Sequence, residues 1–224
     1  MKQIVLQAGH INIQNNIDLN LRKSTGAPGE QEFTNRITNR LAEILRSKSF
    51  TVITVDANFN SDTGNQQDYD LFLAIHYDAD VYGTGGGFFD VPEPSTDGAA
   101  LESKRIKEAI ESEYFNHSGI VNMPQRRNVN TRFYYMWSAL SLKTPCVIIE
   151  CGVGKDAHDA VILADTDRIC NAIARGICKA FDIVFDIPIP PPDFKLLVDQ
   201  VKTIVFGTGW PWSKISKLKK LLNG

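Results

Sequence analysis

Short apolar runs punctuate the first 150 residues, and segments with a helical period lie between them. Gln3–Ala8, Thr51–Val55, Leu71–Ile75, Phe88–Val91 and Cys146–Glu150 have the length and composition of strands, and Phe133–Met136 reads as an aromatic strand or edge segment. From Glu30 to about Arg46, residues Phe33, Ile37, Leu41, Ile44 and Leu45 repeat on one helical face. Ala99–Glu113 carries Leu101, Ile106 and Ile110, and Asp159–Phe181 reads as one long helix with Ile162, Ile169, Ile173 and Ile177. Strands alternating with helices predict an α/β fold, a mostly parallel open twisted sheet with helices on both faces. Past residue 186 the pattern changes. Ile187-Pro188-Ile189-Pro190-Pro191-Pro192 is a stiff linker. Asp193 can then cap a helix with Phe194, Leu197, Val198, Val201, Ile204 and Val205, stopped at Gly207, and Ser213 a second with Ile215, Leu218 and Leu222. The expected organisation is a domain over 1–186, a linker over 187–192 and a short helical hairpin over 193–224.

Against this frame the polar residues at strand ends stand out. His10 follows the first apolar run, His76 the third, and Glu150 closes Cys146–Glu150. In open α/β sheets ligands bind at the carboxyl ends of strands, which is where all three fall. Glu30 opens the first helix directly after Gly29, preceded by the polar, aperiodic loop 11–29, a natural rim for a site. Two imidazoles and a carboxylate, with water in the fourth place, make the ligand set of an open zinc site. There is no HExxH pair, so the ligands must converge in three dimensions, and spacing alone leaves metal binding open. Glu32 competes with Glu30, but Glu30 shares the face of Phe33, Ile37 and Leu41 whereas Glu32 points away. A carboxylate such as Glu150, at a strand end facing a metal-bound water, is where a general base belongs. His117 reads as an exposed loop residue. His158, in Lys155-Asp156-Ala157-His158-Asp159, either reaches the site or belongs to an acidic helix start.

Four stretches, Leu6-Gln7-Ala8-Gly9-His10, Gly29-Glu30 with its helix, Ala74-Ile75-His76-Tyr77-Asp78-Ala79 and Thr144-Pro145 through Gly152, give the chain a resemblance. Over about residues 1–182 it resembles the type 3 zinc-dependent N-acetylmuramoyl-L-alanine amidases of bacterial autolysins and phage endolysins. The resemblance implies zinc held by His10, Glu30 and His76, Glu150 as the catalytic carboxylate, and cleavage of the amide joining N-acetylmuramic acid to L-alanine. It also places the donor-rich run Gln125–Arg132 beside the cleft, which makes Arg127 and Asn130, together with Asp78, candidates for substrate contact. Two positions depart from the family pattern. Ile11-Asn12 stand where the family has two glycines, and Asp78 where it usually has Asn; neither is a metal ligand, and both shape the walls of the site. Two other readings use part of the same residues: a zinc peptidase cutting within the stem peptide, and a non-catalytic wall-binding protein, which would have no need of Glu150.

Charge and composition narrow the partners. The chain carries a net charge of −2, so nucleic acid is not an expected partner. No apolar run is long enough to span a membrane. Gly85-Gly86-Gly87 is not a phosphate loop, because neither Lys-Ser/Thr nor a helix follows it. Met1 leads almost directly into the first strand without the pattern of a signal peptide. The expectation is synthesis in a host cytoplasm and action on the wall after release, as for an endolysin. The four cysteines form no CxxC pair and read as small buried hydrophobes, with Cys146 and Cys151 on opposite faces of one strand.

Charge is unevenly placed: residues 195–224 hold six Lys and one Asp, or +5, against −7 for residues 1–194. With Trp210 and Trp212, this suits a segment that meets wall polymer or anionic lipid; packing on the domain or on a second copy is the competing reading. A chain ending near Asp186 is expected to hydrolyse soluble muropeptides as well as the full chain while binding intact walls less well, in a salt-sensitive manner. Sedimentation with purified walls checks this. Undiminished wall binding together with a lower melting temperature or a broken oligomer would favour packing.

Overall fold

The computed structural model describes residues 1–10, 26–57, 68–79, 84–92, 98–127, 131, 134 and 140–186. The expected linker 187–192 and hairpin 193–224, and Asn130, lie outside the described residues, as does the 133–136 segment apart from Tyr134. The chain divides into a compact unit, Met1–Phe185, and a second, Asp186–Gly224.

Five strands build the sheet of the first unit: β1 (Gln3–Ala8), β2 (Thr51–Val55), β3 (Leu71–Asp78), β4 (Phe88–Asp90) and β5 (Cys146–Val153). Their order is β2-β1-β3-β5-β4. All neighbours run parallel except the edge strand β4, which is antiparallel to β5. The expected mostly parallel α/β sheet is thus what the chain forms. β1 and β3 lie inside the sheet, and the near-continuous apolar runs follow from that, since a central strand is buried on both faces.

Side-chain alternation divides the sheet into two unequal faces. Ile4, Leu6, Leu71, Leu73, Ile75, Val147, Ile149 and Cys151 share one hydrophobic cluster with the inner faces of α1 (Glu30–Ser47), α2 (Gly98–Ser118), α3 (Ala157–Ala164) and α4 (Thr166–Ala180). On the other face, Val5, Phe72, Ala74, Cys146 and Ile148 pack with Tyr69 and Leu140, and Tyr134 lies against them. Among the described residues, then, the four helices gather on the first face. Cys146 and Cys151 do point to opposite faces, and all four cysteines are buried and free. Burial pushes the Cys170 thiol up to about 12 and the Cys178 thiol to about 11, so they behave as core hydrophobes.

Several boundaries differ from the sequence expectation. β3 continues past His76 to Asp78, and β5 past Glu150 to Val153. His76 pairs with Glu150, but Asp78 pairs with Val153, so β5 holds one extra residue in this stretch. Such bulges re-aim side chains beside functional sites. α2 runs on to Ser118, which puts His117 in its last turn and not in a loop. Leu101 is 71% exposed. The inward face of α2 is set by Ile106, Ile110 and Tyr114, and Leu101 is rotated away from that line. The long helix expected over Asp159–Phe181 is two helices, because Asp165 interrupts it and caps the second by accepting from Arg168 N.

One packing contact tests this arrangement. A Cβ on Gly176 of α4 would overlap the backbone of α2 at Ile110. Replacing an interior helical glycine with alanine ordinarily stabilises by about 0.5–1 kcal/mol. Here Gly176→Ala should instead destabilise by about 1–3 kcal/mol, the scale of overpacking. A lowered urea midpoint checks this, and a raised midpoint would contradict the close helix crossing.

Candidate metal centre and catalytic carboxylate

Glu30 is the first residue of α1, where the positive end of the helix favours an anion. It is 2% exposed, and Glu32 is exposed, as the helical phase predicts. Its Oε2 accepts from Ala27 N at 2.8 Å and its Oε1 from Tyr77 N at 3.2 Å. One turn later, Thr34 Oγ1 donates to Gly9 O at 2.8 Å, tying the helix start to the chain just beyond β1. Tyr77 adds a second tie by donating its hydroxyl to Pro28 O.

The two histidines close on the same oxygen. His76 Nδ1 lies 3.1 Å from Glu30 Oε1, and His10 Nε2 lies 3.5 Å from it. His10 adopts a left-handed backbone conformation, φ 59°, two residues past the end of β1. Non-glycine residues adopt this region infrequently, and such strain clusters at functional sites. The two rings meet edge to face, 4.9 Å between centroids and 89° between planes. Gly9 makes room for them, since a Cβ there would overlap the His76 imidazole. Ligand atoms of His10, Glu30 and His76 all fall within 4.8 Å of one another. Donors about 2.0–2.1 Å from a tetrahedral zinc stand about 3.3 Å apart, and the two separations measured from Glu30 Oε1 bracket that value. Burial lowers the pKa of His10, opposed by Glu30 and reinforced by His76, which favours the neutral imidazole that a metal requires. The residues present fit a zinc ion.

Glu150 lies across from His76 in the β3–β5 register. Alternation puts Gln7, His76 and Glu150 on the sheet face away from the four described helices. Glu150 Oε2 is buried and has no hydrogen-bond partner among the described residues. Burial first, and then the neighbouring negative Glu30 and Asp78, push its pKa well above the ordinary carboxylate range. A buried carboxyl with raised proton affinity beside candidate metal ligands is suited to taking and returning a proton.

The remaining candidates separate. Asp78 Oδ2 lies 3.6 Å from Nη1 of the buried Arg126, whose guanidinium also donates to Thr84 Oγ1 at 2.8 Å and to Gly86 O at 3.2 Å. Arg127 is engaged by Glu111 of α2 at 3.1 Å. His117 pairs with Glu113 at 3.2 Å. Asp156 caps α3, accepting from His158 N and Asp159 N, and buried Asp159 accepts from Val153 N at 3.0 Å. The acidic cluster is therefore a helix start. Sequence reasoning missed Gln7, Arg126 and Tyr134. Gln7 had a visible signal, an amide inside an otherwise apolar central strand. Tyr134 had none.

A sequence-family model described as N-acetylmuramoyl-L-alanine amidase matches residues 4–181. The chain belongs to this family of peptidoglycan amidases. No curated protein matches it in sequence. Solved structures with a similar fold include the amidase Ami1 of Mycobacterium smegmatis, with TM-score 0.62, 19% identity, and coverage of 81% of this chain and 97% of that one. The CwlD amidase of Clostridioides difficile, solved with the GerS lipoprotein, gives TM-score 0.59, 20% identity, and 81% and 99% coverage. The catalytic domain of the CD27L endolysin, which targets Clostridia difficile, gives TM-score 0.59, 13% identity, and 83% and 100% coverage. At these identities the structural likeness concerns the fold; membership rests on the family match.

A carboxyl whose pKa is raised on folding stabilises the folded state while protonated. That contribution is full below the unfolded value near 4.5 and is lost as pH rises toward the folded value. Glu150→Gln, which stays neutral, should therefore melt like the wild type near pH 4 in metal-free protein and increasingly above it toward neutral pH. Thermal melts across pH with chelator present test this. A variant less stable than wild type at neutral pH would mean that Glu150 is not held in the environment described.

Proposed function

We propose that the chain is a zinc-dependent N-acetylmuramoyl-L-alanine amidase in which His10, Glu30 and His76 hold the metal and Glu150 is the catalytic acid and base. The observation that carries this reading is the convergence of two imidazoles on one buried carboxylate oxygen, beside a second carboxyl with an orphaned oxygen. When bound, zinc supplies a lowered pKa for water and polarisation of the scissile carbonyl. Glu150 accepts the proton of the attacking water and delivers it to the departing L-alanine nitrogen, so the carbon–nitrogen bond breaks without a charged amide leaving group. Ala27 N and Tyr77 N donate to Glu30 at the start of α1 and hold it in orientation. His10 and His76 present ring nitrogens toward it. Asp78, restrained by Arg126, forms part of the wall near Glu150, and Arg127 and Asn130 stay proposals for contacts to glycan or stem peptide.

The proposed setting is that of an endolysin, acting on the wall after release, with the basic 195–224 segment serving localisation. A peptidase cutting inside the stem peptide would use the same chemistry and differ in product. Mass spectrometry of digested sacculi separates the two: a free lactyl carboxyl with a new L-alanine amine is expected, and a new amine within the stem would replace the amidase reading.

Ligand and base should also part company on substitution. His10→Ala, Glu30→Ala and His76→Ala are each expected to lose bound zinc and lysis together, and His117→Ala to lose neither. Glu150→Gln should keep zinc and lose activity by about 10²-fold or more, the scale of general-base catalysis. Metal analysis beside a turbidity assay reads both, and full zinc occupancy in His76→Ala would count decisively against the site.

A further inference from the structure

We propose that Tyr134 and Gln7 are positioning residues that fix the protonation pattern of the His76 ring, and so set how tightly the site holds its metal. The proposal rests on the zinc reading above. It starts from a chain of hydrogen bonds whose direction is forced from one end. The Asp56 carbonyl, just beyond β2, can only accept, and Gln7 Nε2 donates to it at 3.3 Å. That leaves Gln7 Oε1 facing the other way, where it accepts from the Tyr134 hydroxyl at 2.8 Å. Having given its one proton to Gln7, the Tyr134 oxygen must act as acceptor toward His76 Nε2, 3.2 Å away. The proton of His76 therefore sits on Nε2, and the lone pair of Nδ1 is directed toward Glu30 Oε1 and the candidate metal position.

This arrangement is contested inside the site. Glu30 Oε1, 3.1 Å from Nδ1, is also a pure acceptor and draws the same proton toward the nitrogen that the metal needs. An acceptor at Nε2 shifts the balance the other way, and it does so with a partner that is itself held. Gln7 is fully buried in a central strand. Tyr134 packs edge to face on His76, 5.5 Å between centroids and 85° between planes, so ring orientation and proton position are set together. Partners of this kind behind ligating histidines typically change metal affinity by about 10- to 100-fold.

The test uses the full chain and zinc alone. Tyr134→Phe keeps the ring packing and removes the acceptor; Gln7→Met removes the group that orients it. Zinc dissociation constants come from chelator competition, and melting of metal-free protein reports on folding. Each variant is expected to bind zinc about 10-fold or more weakly, with the metal-free melting temperature little changed. The double variant should be no weaker than Tyr134→Phe, because both changes break one chain. In zinc-loaded wild type the His76 Nε2 proton should give a slowly exchanging NMR signal that Tyr134→Phe loses. Wild-type zinc affinity in both single variants, with the signal retained, would overturn the relay and leave the metal site standing. A wild-type protein that binds no zinc would overturn both.

Discussion

A carboxylate with almost no access to water must be compensated where it stands, and Glu30 is that carboxylate. The cost of burying an isolated charge is large, so the surrounding structure has to meet it with donors and fixed dipoles. Here the start of α1, two backbone N–H groups and two imidazoles all close on it. Each of these partners belongs to a different part of the chain: Ala27 to the segment entering α1, Tyr77 and His76 to β3, His10 to the turn after β1. Satisfying one buried charge thus draws three elements together, and the same geometry that stabilises the anion presents a set of nitrogens and oxygens at metal-ligand spacing.

The two faces of the sheet divide the labour. One is sealed by α1, α2, α3 and α4 and supplies the large apolar cluster. The other, with a smaller cluster, carries Gln7, His76 and Glu150 toward the carboxyl ends of their strands, with His76 and Glu150 directly paired and Gln7 paired to Ala74. A polar side chain on the helix-covered face would need partners inside a packed apolar layer. On the opposite face it finds one in Tyr134, whose hydroxyl reaches both Gln7 and His76. The bulge in β5 just past Glu150 belongs to the same logic, because it lets the strand continue pairing while the positions beyond the carboxylate are re-aimed.

This division also explains what the amino-acid pattern revealed. Strands and helices were legible because burial on both faces, or on one stripe, leaves a period in the residues, and His10, His76 and Glu150 were legible because they break apolar runs at their ends. Glu30 followed from helical phase with Phe33, Ile37 and Leu41. The split at Asp165 was not, because the apolar stripe runs on across it while a single capping side chain breaks the helix. Leu101 misled for the reverse reason, an apolar residue rotated off the true stripe. The partners of the site were the hardest to see. Arg126 and Tyr134 act through segments without a period, where only three-dimensional convergence assigns a role, and the neighbouring Arg127 looked equally suitable in the sequence although Glu111 engages it.

Three carboxylates meet at one sheet edge, and the different ways in which they are compensated sort their roles. Asp78 faces the buried guanidinium of Arg126, a pairing that also gathers the Thr84–Gly86 carbonyls and so restrains the wall of the site. Glu30 is compensated by N–H groups and imidazoles, which hold it stationary. Among the described residues Glu150 has neither guanidinium nor amide at Oε2, and burial first, then the other two carboxylates, push its proton affinity upward. A buried carboxyl with raised proton affinity is suited to different work from one that is fixed by donors. Asp78 and Glu30 are each held by named donors, and the Glu150 oxygen that has no donor among the described residues is the one that fits the proton-transfer role proposed above.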